Sequence, residues 1–198
     1  PHVLEDRIKN SLLIMPQHTV AGIKKFDDRH AMDAYVESVA KISKNFRYTA
    51  VCLHFGDIKN GYWLEEFKRK GIKTILGGHP YDQNSLIRVK MLLKRFEYVT
   101  SNAWGSHIAY ALACGAKVSI WGKVIQSNLE IQRQDPGNSN KKSLELKNSK
   151  EFFEKQFIFL EGLHRNPRAG IRNKSLGEFL IGRDSVRSPA KILKLFDW

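Results

Sequence analysis

His18, His79 and His107 each follow a short apolar or β-type run. Each has small or hydroxyl-bearing neighbours, in Pro16-Gln17-His18-Thr19, Gly78-His79-Pro80 and Gly105-Ser106-His107. An imidazole in such a place can donate a hydrogen bond to a phosphate oxygen or carry a proton near neutral pH. It can equally be a structural, hydrogen-bonded histidine, and for any one of the three the two readings weigh the same. Ser101 to Ser106 offers a second kind of chemistry. A Gly/Ser loop that opens a helix leaves backbone N–H groups unpaired at the positive end of the helix dipole, which suits a phosphate. Ser and Asn before a helix are also ordinary caps, and Gly105 can simply relieve a tight turn. Gly56-Asp57 is the remaining polar turn. His54 and His30 are assigned structural roles, one inside a strand and one at a helix start.

Alternating apolar patterns must position these turns. Tyr98 to Ser101 is β-type. Ile108, Ala109, Leu112 and Ala113 then share one face at spacings near 3.6, Gly115 stops that helix, and Lys117 to Trp121 alternates as a strand. Such a βαβ unit crosses over right-handedly. Upstream, Ser11 to Met15, Tyr48 to Phe55 and Ile72 to Leu76 read as strands. Asp27 to Lys44, Tyr62 to Lys70 and Ser85 to Phe96 read as helices, the last with Leu86, Val89, Leu92, Leu93 and Phe96 on its apolar side. Strand and helix alternate without paired hairpins. The expected fold class is α/β, a single Rossmann-like parallel sheet with helices on both faces and extra C-terminal helices. In such sheets ligands bind outside the carboxyl ends of the strands. All four polar turns fall there.

Residues 1–10 read as a lead-in or linker, 11–122 as the core and 123–150 as an exposed, mobile loop. Residues 151–198 read as C-terminal helices packing on the core: Glu151 to Leu160, Ser175 to Ile181 and Pro189 to Phe196, with a basic loop from Leu163 to Arg172. A hydrophobic content of 42% is enough for a substantial core, and no apolar run is long enough to cross a bilayer. Cys52 and Cys114 sit in apolar settings and read as buried thiols of a reducing compartment. The net charge of +13 and the pI near 9.8 imply attraction to polyanions: nucleic acid, anionic headgroups or an acidic glycan. No GxGxxG follows the first strand, and neither a GxxxxGK[ST] loop nor a GxSxG elbow is present. These absences argue against a nicotinamide dehydrogenase, a P-loop enzyme and an α/β-hydrolase.

Gly78-His79-Pro80 at one strand end is followed, one βα unit later, by Thr100-Ser101-Asn102 and Gly105-Ser106-His107. This set resembles the C-terminal, donor-binding domain of GT-B glycosyltransferases, in particular bacterial surface-polysaccharide transferases that use CMP-activated acidic sugars such as sialic acid or Kdo. The resemblance covers roughly Ser11 to Gly122 and the C-terminal helices. It implies that His79 and Pro80 contact the nucleotide and that Ser101, Asn102 and Ser106 contact phosphate. Thr19, Gly105 and His107 complete the expected donor-binding set, and His18 and Asp57 are the catalytic candidates. The acidic D/E-D/E-G motif of sialyltransferases is absent, since Asp27-Asp28 is followed by Arg29. A GT-B enzyme has two Rossmann domains and this chain has about one. It is therefore expected to be a donor domain lacking an N-terminal acceptor-binding domain, or a reduced relative.

The expected function is transfer from a nucleotide-sugar, CMP- before UDP-, to an anionic glycan or glycolipid in capsule or lipopolysaccharide synthesis. No metal or cofactor is called for, since no DxD-type pair stands at a strand end. The expected location is cytoplasmic, at the inner face of the cell membrane through peripheral contact with anionic lipid. Two alternatives stand beside it. A sugar-nucleotide epimerase would need carboxylates near the anion loop, with Asp57 and Asp82 the candidates. A non-catalytic basic module would bind nucleic acid or anionic glycan.

Overall fold

The structure, a computed structural model, describes residues 7–18, 28–79, 81–123, 125, 160–188 and 190–191. Five parallel strands form one sheet: β1 (Ile8–Ile14), β2 (Tyr48–Leu53), β3 (Lys73–Leu76), β4 (Phe96–Ser101) and β5 (Lys117–Ile120), in the order β3-β2-β1-β4-β5. The helices between them are α1 (Arg29–Ser43), α2 (Phe55–Asn60), α3 (Tyr62–Arg69), α4 (Ser85–Arg95) and α5 (Ser106–Ala113), with α6 (Lys174–Leu180) after β5. The chain is thus a Rossmann-like α/β fold.

Both faces of the central strands are buried, so their residues divide by alternation. Leu12 and Ile14 of β1, with Val51 and Leu53 of β2, pack on Tyr35, Val36 and Val39 of α1 and on Trp63 and Phe67 of α3. Leu13, Ala50, Cys52 and Val99 face the opposite layer, with Leu93 of α4 and Ile108, Ala111 and Leu112 of α5. On that second face α6 lies against α5. At their closest point a Cβ on Gly177 would come 2.1 Å from the Ala113 nitrogen, so the contact admits only glycine.

Several boundaries differ from the sequence reading, each for a local reason. β1 begins at Ile8, inside the expected lead-in, because Ile8 pairs with Phe96 ahead of an irregularity where Asn10 takes φ 57°. β2 stops at Leu53 and not at Phe55, because the His54 side chain accepts the Gly56 N–H and starts α2. Phe96 leaves α4 and opens β4. Leu86, on the apolar side of α4, is 70 % exposed. The expected helices Glu151 to Leu160 and Pro189 to Phe196, and the 123–150 loop, fall almost wholly outside the described residues. Leu163 to Arg172 is less loop-like than expected: Ile171 pairs with Val118 of β5, and His164 with Ile120.

Candidate functional site at the carboxyl edge of the sheet

The strand order reverses direction between β1 and β4. β2 and β3 lie to one side of this switch point and β5 to the other. Loops diverge at such a point and leave a crevice outside the strand ends. Here the crevice is a cavity of about 390 Å³ whose lining includes His18, His54, His79, Ser106 and His107. Four adjacent strands, β3, β2, β1 and β4, thus each send one histidine from their carboxyl ends. His18 and His54 stack with ring centroids 4.6 Å apart, and His79 meets Phe55 edge-on at 4.2 Å.

Local hydrogen bonds fix what two of these rings present. His79 Nδ1 accepts the Tyr81 N–H at 3.2 Å, so the neutral ring carries its proton on Nε2 as a donor. The backbone of His79 is held on both sides by Ser85 Oγ, which donates to its carbonyl (2.6 Å) and accepts from its N–H (3.1 Å). Gly78 permits that approach, since a Cβ there would lie 2.9 Å from Ser85 Cβ. His107 is set the other way. Its ring bonds the Ala103 carbonyl while its Nε2 is sealed and has no partner, so the donor is Nδ1 and Nε2 keeps a lone pair. Burial, and then the nearby His18, push the His107 pKa down to about 4, so the ring is neutral at physiological pH. Gly105 makes room for that ring, because a Cβ there would stand 2.7 Å from its Cε1.

The start of α5 opens on the same cavity with Gly105 as its cap residue and no side-chain capping bond, whereas Asp28 and Asn173 cap α1 and α6. Ser106, its first residue, is exposed and lines the cavity.

Of the residues singled out in the sequence, His18, His79, Ser106 and His107 come together, and Gly105 supports them. Ser101 and Asn102 lie on the same edge but are fully buried and engaged in the scaffold. Ser101 Oγ accepts from Ala103 N, which shapes the loop. Asn102 Oδ1 accepts from Gln17 N (2.8 Å) and its Nδ2 donates to the Lys123 carbonyl (3.1 Å), while Gln17 Oε1 accepts from Ile125 N (3.2 Å). That stitch joins the segments following β1, β4 and β5, and it positions His18, one residue beyond Gln17. Asp57 is buried in the first turn of α2 and does not line the cavity. Asp82 pairs with Arg88 at 2.7 Å and is likewise not part of the lining. Thr19 and Pro80 lie outside the described residues.

His54 is the functional candidate that the sequence reading missed. Its apolar neighbours place it inside a strand, and the one signal against that is the Gly56-Asp57 pair, which suits a helix first turn. Among the described residues, no group of three or more His, Cys, Asp or Glu side chains could hold a metal ion. Cys52, on the cavity wall, is a free thiol pushed up to about 12 by burial, so it is not a nucleophile near neutral pH. Among the described residues, no helix is long and apolar enough to cross a membrane. Comparison with protein-family models, curated proteins and solved structures gives no match for this chain.

Proposed function

We propose that this edge of the sheet holds the nucleotide and phosphate of a nucleotide-sugar, and that the chain is the donor-binding part of an inverting glycosyltransferase. One observation carries the reading: four histidines from four adjacent strands converge at the switch point, beside the uncapped start of α5. In direct displacement an acceptor hydroxyl attacks the anomeric carbon as the bond from that carbon to the phosphate oxygen breaks. Negative charge then collects on the departing phosphate. The Nε2–H of His79 and the first N–H groups of α5 supply donors that such a charge needs. His107 lines the cavity as a neutral ring, so it shapes the wall without adding charge. His18, stacked on His54 at the cavity wall, is the group that would carry a proton.

The reading includes CMP before UDP as the nucleotide and an anionic glycan or glycolipid as acceptor. It also includes a separate acceptor-binding domain and work at the cytoplasmic face of the membrane in capsule or lipopolysaccharide synthesis. The epimerase alternative is less well supported, since among the described residues neither Asp57 nor Asp82 is part of the cavity lining. Thermal unfolding with CMP-, UDP- and GDP-sugars tests the proposal, because a ligand of the native state raises Tm. The largest rise is expected with a CMP-sugar and should vanish in His79→Ala. No rise with any of the three would overturn it.

A further inference from the structure

α4 exposes a surface that its packing leaves uncovered. Leu93 is its one buried residue, while Leu86 (70 %), Ile87 (57 %) and Met91 (64 %) stand in solvent. Leu86, Lys90 and Lys94 follow one another at four-residue steps, so aliphatic and cationic side chains share the outward side of the helix. Opposite, α6 and the turn after it expose Phe179 (69 %) and Ile181. Between the two helices lies a groove of about 770 Å³. Its lining has four cations, Lys90, Lys94, Lys174 and Arg183, and one carboxylate, Glu178, which pairs with Arg183 and, at 3.7 Å, with Lys174. Among the described residues no carboxylate pairs with Lys90 or Lys94. The groove adjoins the histidine cavity, since Leu86, Val89 and Tyr110 line both.

We propose that this α4–α6 face seats on an anionic membrane surface, with the lysines on the headgroups and the exposed aliphatic side chains and Phe179 in the interfacial zone. The pairing of features selects the occupant. Cationic side chains alone would serve a nucleic acid or an acidic glycan, but Leu86, Ile87 and Met91 gain nothing from either, whereas a lipid interface rewards both. A second copy of the chain would bring one cationic face against another in a two-fold contact, which like-charge repulsion opposes. The consequence is that the histidine cavity opens beside the bilayer, where a lipid-linked acceptor could reach it. The proposal does not depend on the nucleotide reading, because nucleotide binding and vesicle binding are measured separately.

Co-sedimentation of the full chain tests it, using vesicles of phosphatidylcholine alone and of equal parts phosphatidylcholine and phosphatidylglycerol. Binding is expected to the mixed vesicles and to weaken with salt. Lys90→Glu with Lys94→Glu should lower it by about tenfold or more. Leu86→Ser, Ile87→Ser and Met91→Ser together should lower it severalfold without altering its salt dependence. All five side chains are exposed, so unchanged melting temperatures show that the variants fold. Equal binding to phosphatidylcholine alone, or indifference to the lysine reversal, would overturn the proposal. So would failure to bind vesicles together with heparin binding that ignores the aliphatic triple variant, which would mark a glycan site. A dimer that the triple variant abolishes, again without vesicle binding, would mark a second copy as the occupant and overturn it too.

Discussion

The two edges of the sheet use their polar side chains in opposite ways. At the amino edge the groups satisfy one another. Arg7 donates to the Leu93 carbonyl at 2.7 Å and to those of Phe96 and Cys114, tying down the last carbonyls of α4 and α5. Burial lowers its pKa, yet an arginine stays charged there. Glu97 accepts from Asn10 N (2.7 Å) and Lys117 Nζ (2.8 Å). Burial acts to raise its pKa, but those bonds prevail and hold it low. Arg168 reaches Asn10 Oδ1 at 2.7 Å and lies over the Phe46 ring. At the carboxyl edge the backbone is equally well stitched, through Asn102, Gln17 and Ser85, but the stitching holds histidines around a cavity. Among the described residues His107 Nε2 is buried there without a partner, as are Tyr35 Oη, Trp63 Nε1 and Arg165 Nε away from the cavity. A fold gains no stability from an unpaired buried group. Satisfied polarity fits the amino edge as scaffold, and the histidine-lined cavity makes the carboxyl edge the ligand site we propose.

Breaking the scaffold edge should produce the largest change in stability and little change in binding. Arg7→Met removes the donors to three carbonyls and should cost roughly 3 kcal/mol in denaturant unfolding. Affinity for CMP should stay within a factor of about two, since the replaced side chain acts at the far end of the strands. An Arg7→Met protein of normal stability would break the contrast between the edges.

Next in size is Asn102→Ala, which lies on the ligand edge but belongs to its scaffold. It strands the half-buried Gln17 N–H and should cost roughly 1–2 kcal/mol. Because Gln17 precedes His18, nucleotide affinity should fall as well, unlike in Arg7→Met. Calorimetric titration together with unfolding distinguishes the two variants. Unchanged affinity would separate the stitch from the site.

The pH dependence of stability sharpens the comparison further. The folded pKa of His107, about 4, lies below the ordinary histidine value of 6.5. The unfolded chain therefore takes up this proton first as pH falls. The stability is fully present above about 6.5 and is lost between about 6.5 and 4, by roughly 2–3 kcal/mol. His107→Gln should flatten that decline, and an unaltered pH profile would show that the ring is not held neutral. Glu97 contributes in the same direction at lower pH, because a depressed carboxylate pKa gives stability that is lost on acidification through it.

The smallest expected effect on stability is that of Gly105→Ala, at most about 1.5 kcal/mol. Its added methyl must displace the His107 ring. Nucleotide affinity should fall about tenfold while the fold persists, a split that calorimetry and unfolding resolve together.

The sequence carries much of the scaffold and less of the site. Apolar runs closed by Gly or Pro, such as SLLIM before Pro16 and the strand before Gly77-Gly78, mark strand ends directly. His18 and His79 can therefore be placed on the ligand edge from spacing alone. His54 cannot, because YTAVCLHF is apolar on both sides of it, and β2 ends at Leu53 only because the His54 ring itself caps α2. The role of Asn102 depends on three segments meeting, those after β1, β4 and β5, and strand order is not written in any one segment. Leu86 teaches the converse. Helical periodicity identifies an apolar stripe, but whether a neighbour covers it is a tertiary property.

The central claim is that the histidines of the carboxyl edge, and not the dispersed basic surface, receive the nucleotide. Ring-nitrogen NMR of 15N-histidine-labelled protein during titration with CMP tests this directly, with His79→Ala and His107→Gln used to assign signals. The His79 and His107 resonances are expected to shift together and to saturate. Those of His30 on α1 and His164 beside β5 should stay unmoved. Saturable CMP binding that leaves His79 and His107 unshifted, or no binding at all, would contradict it.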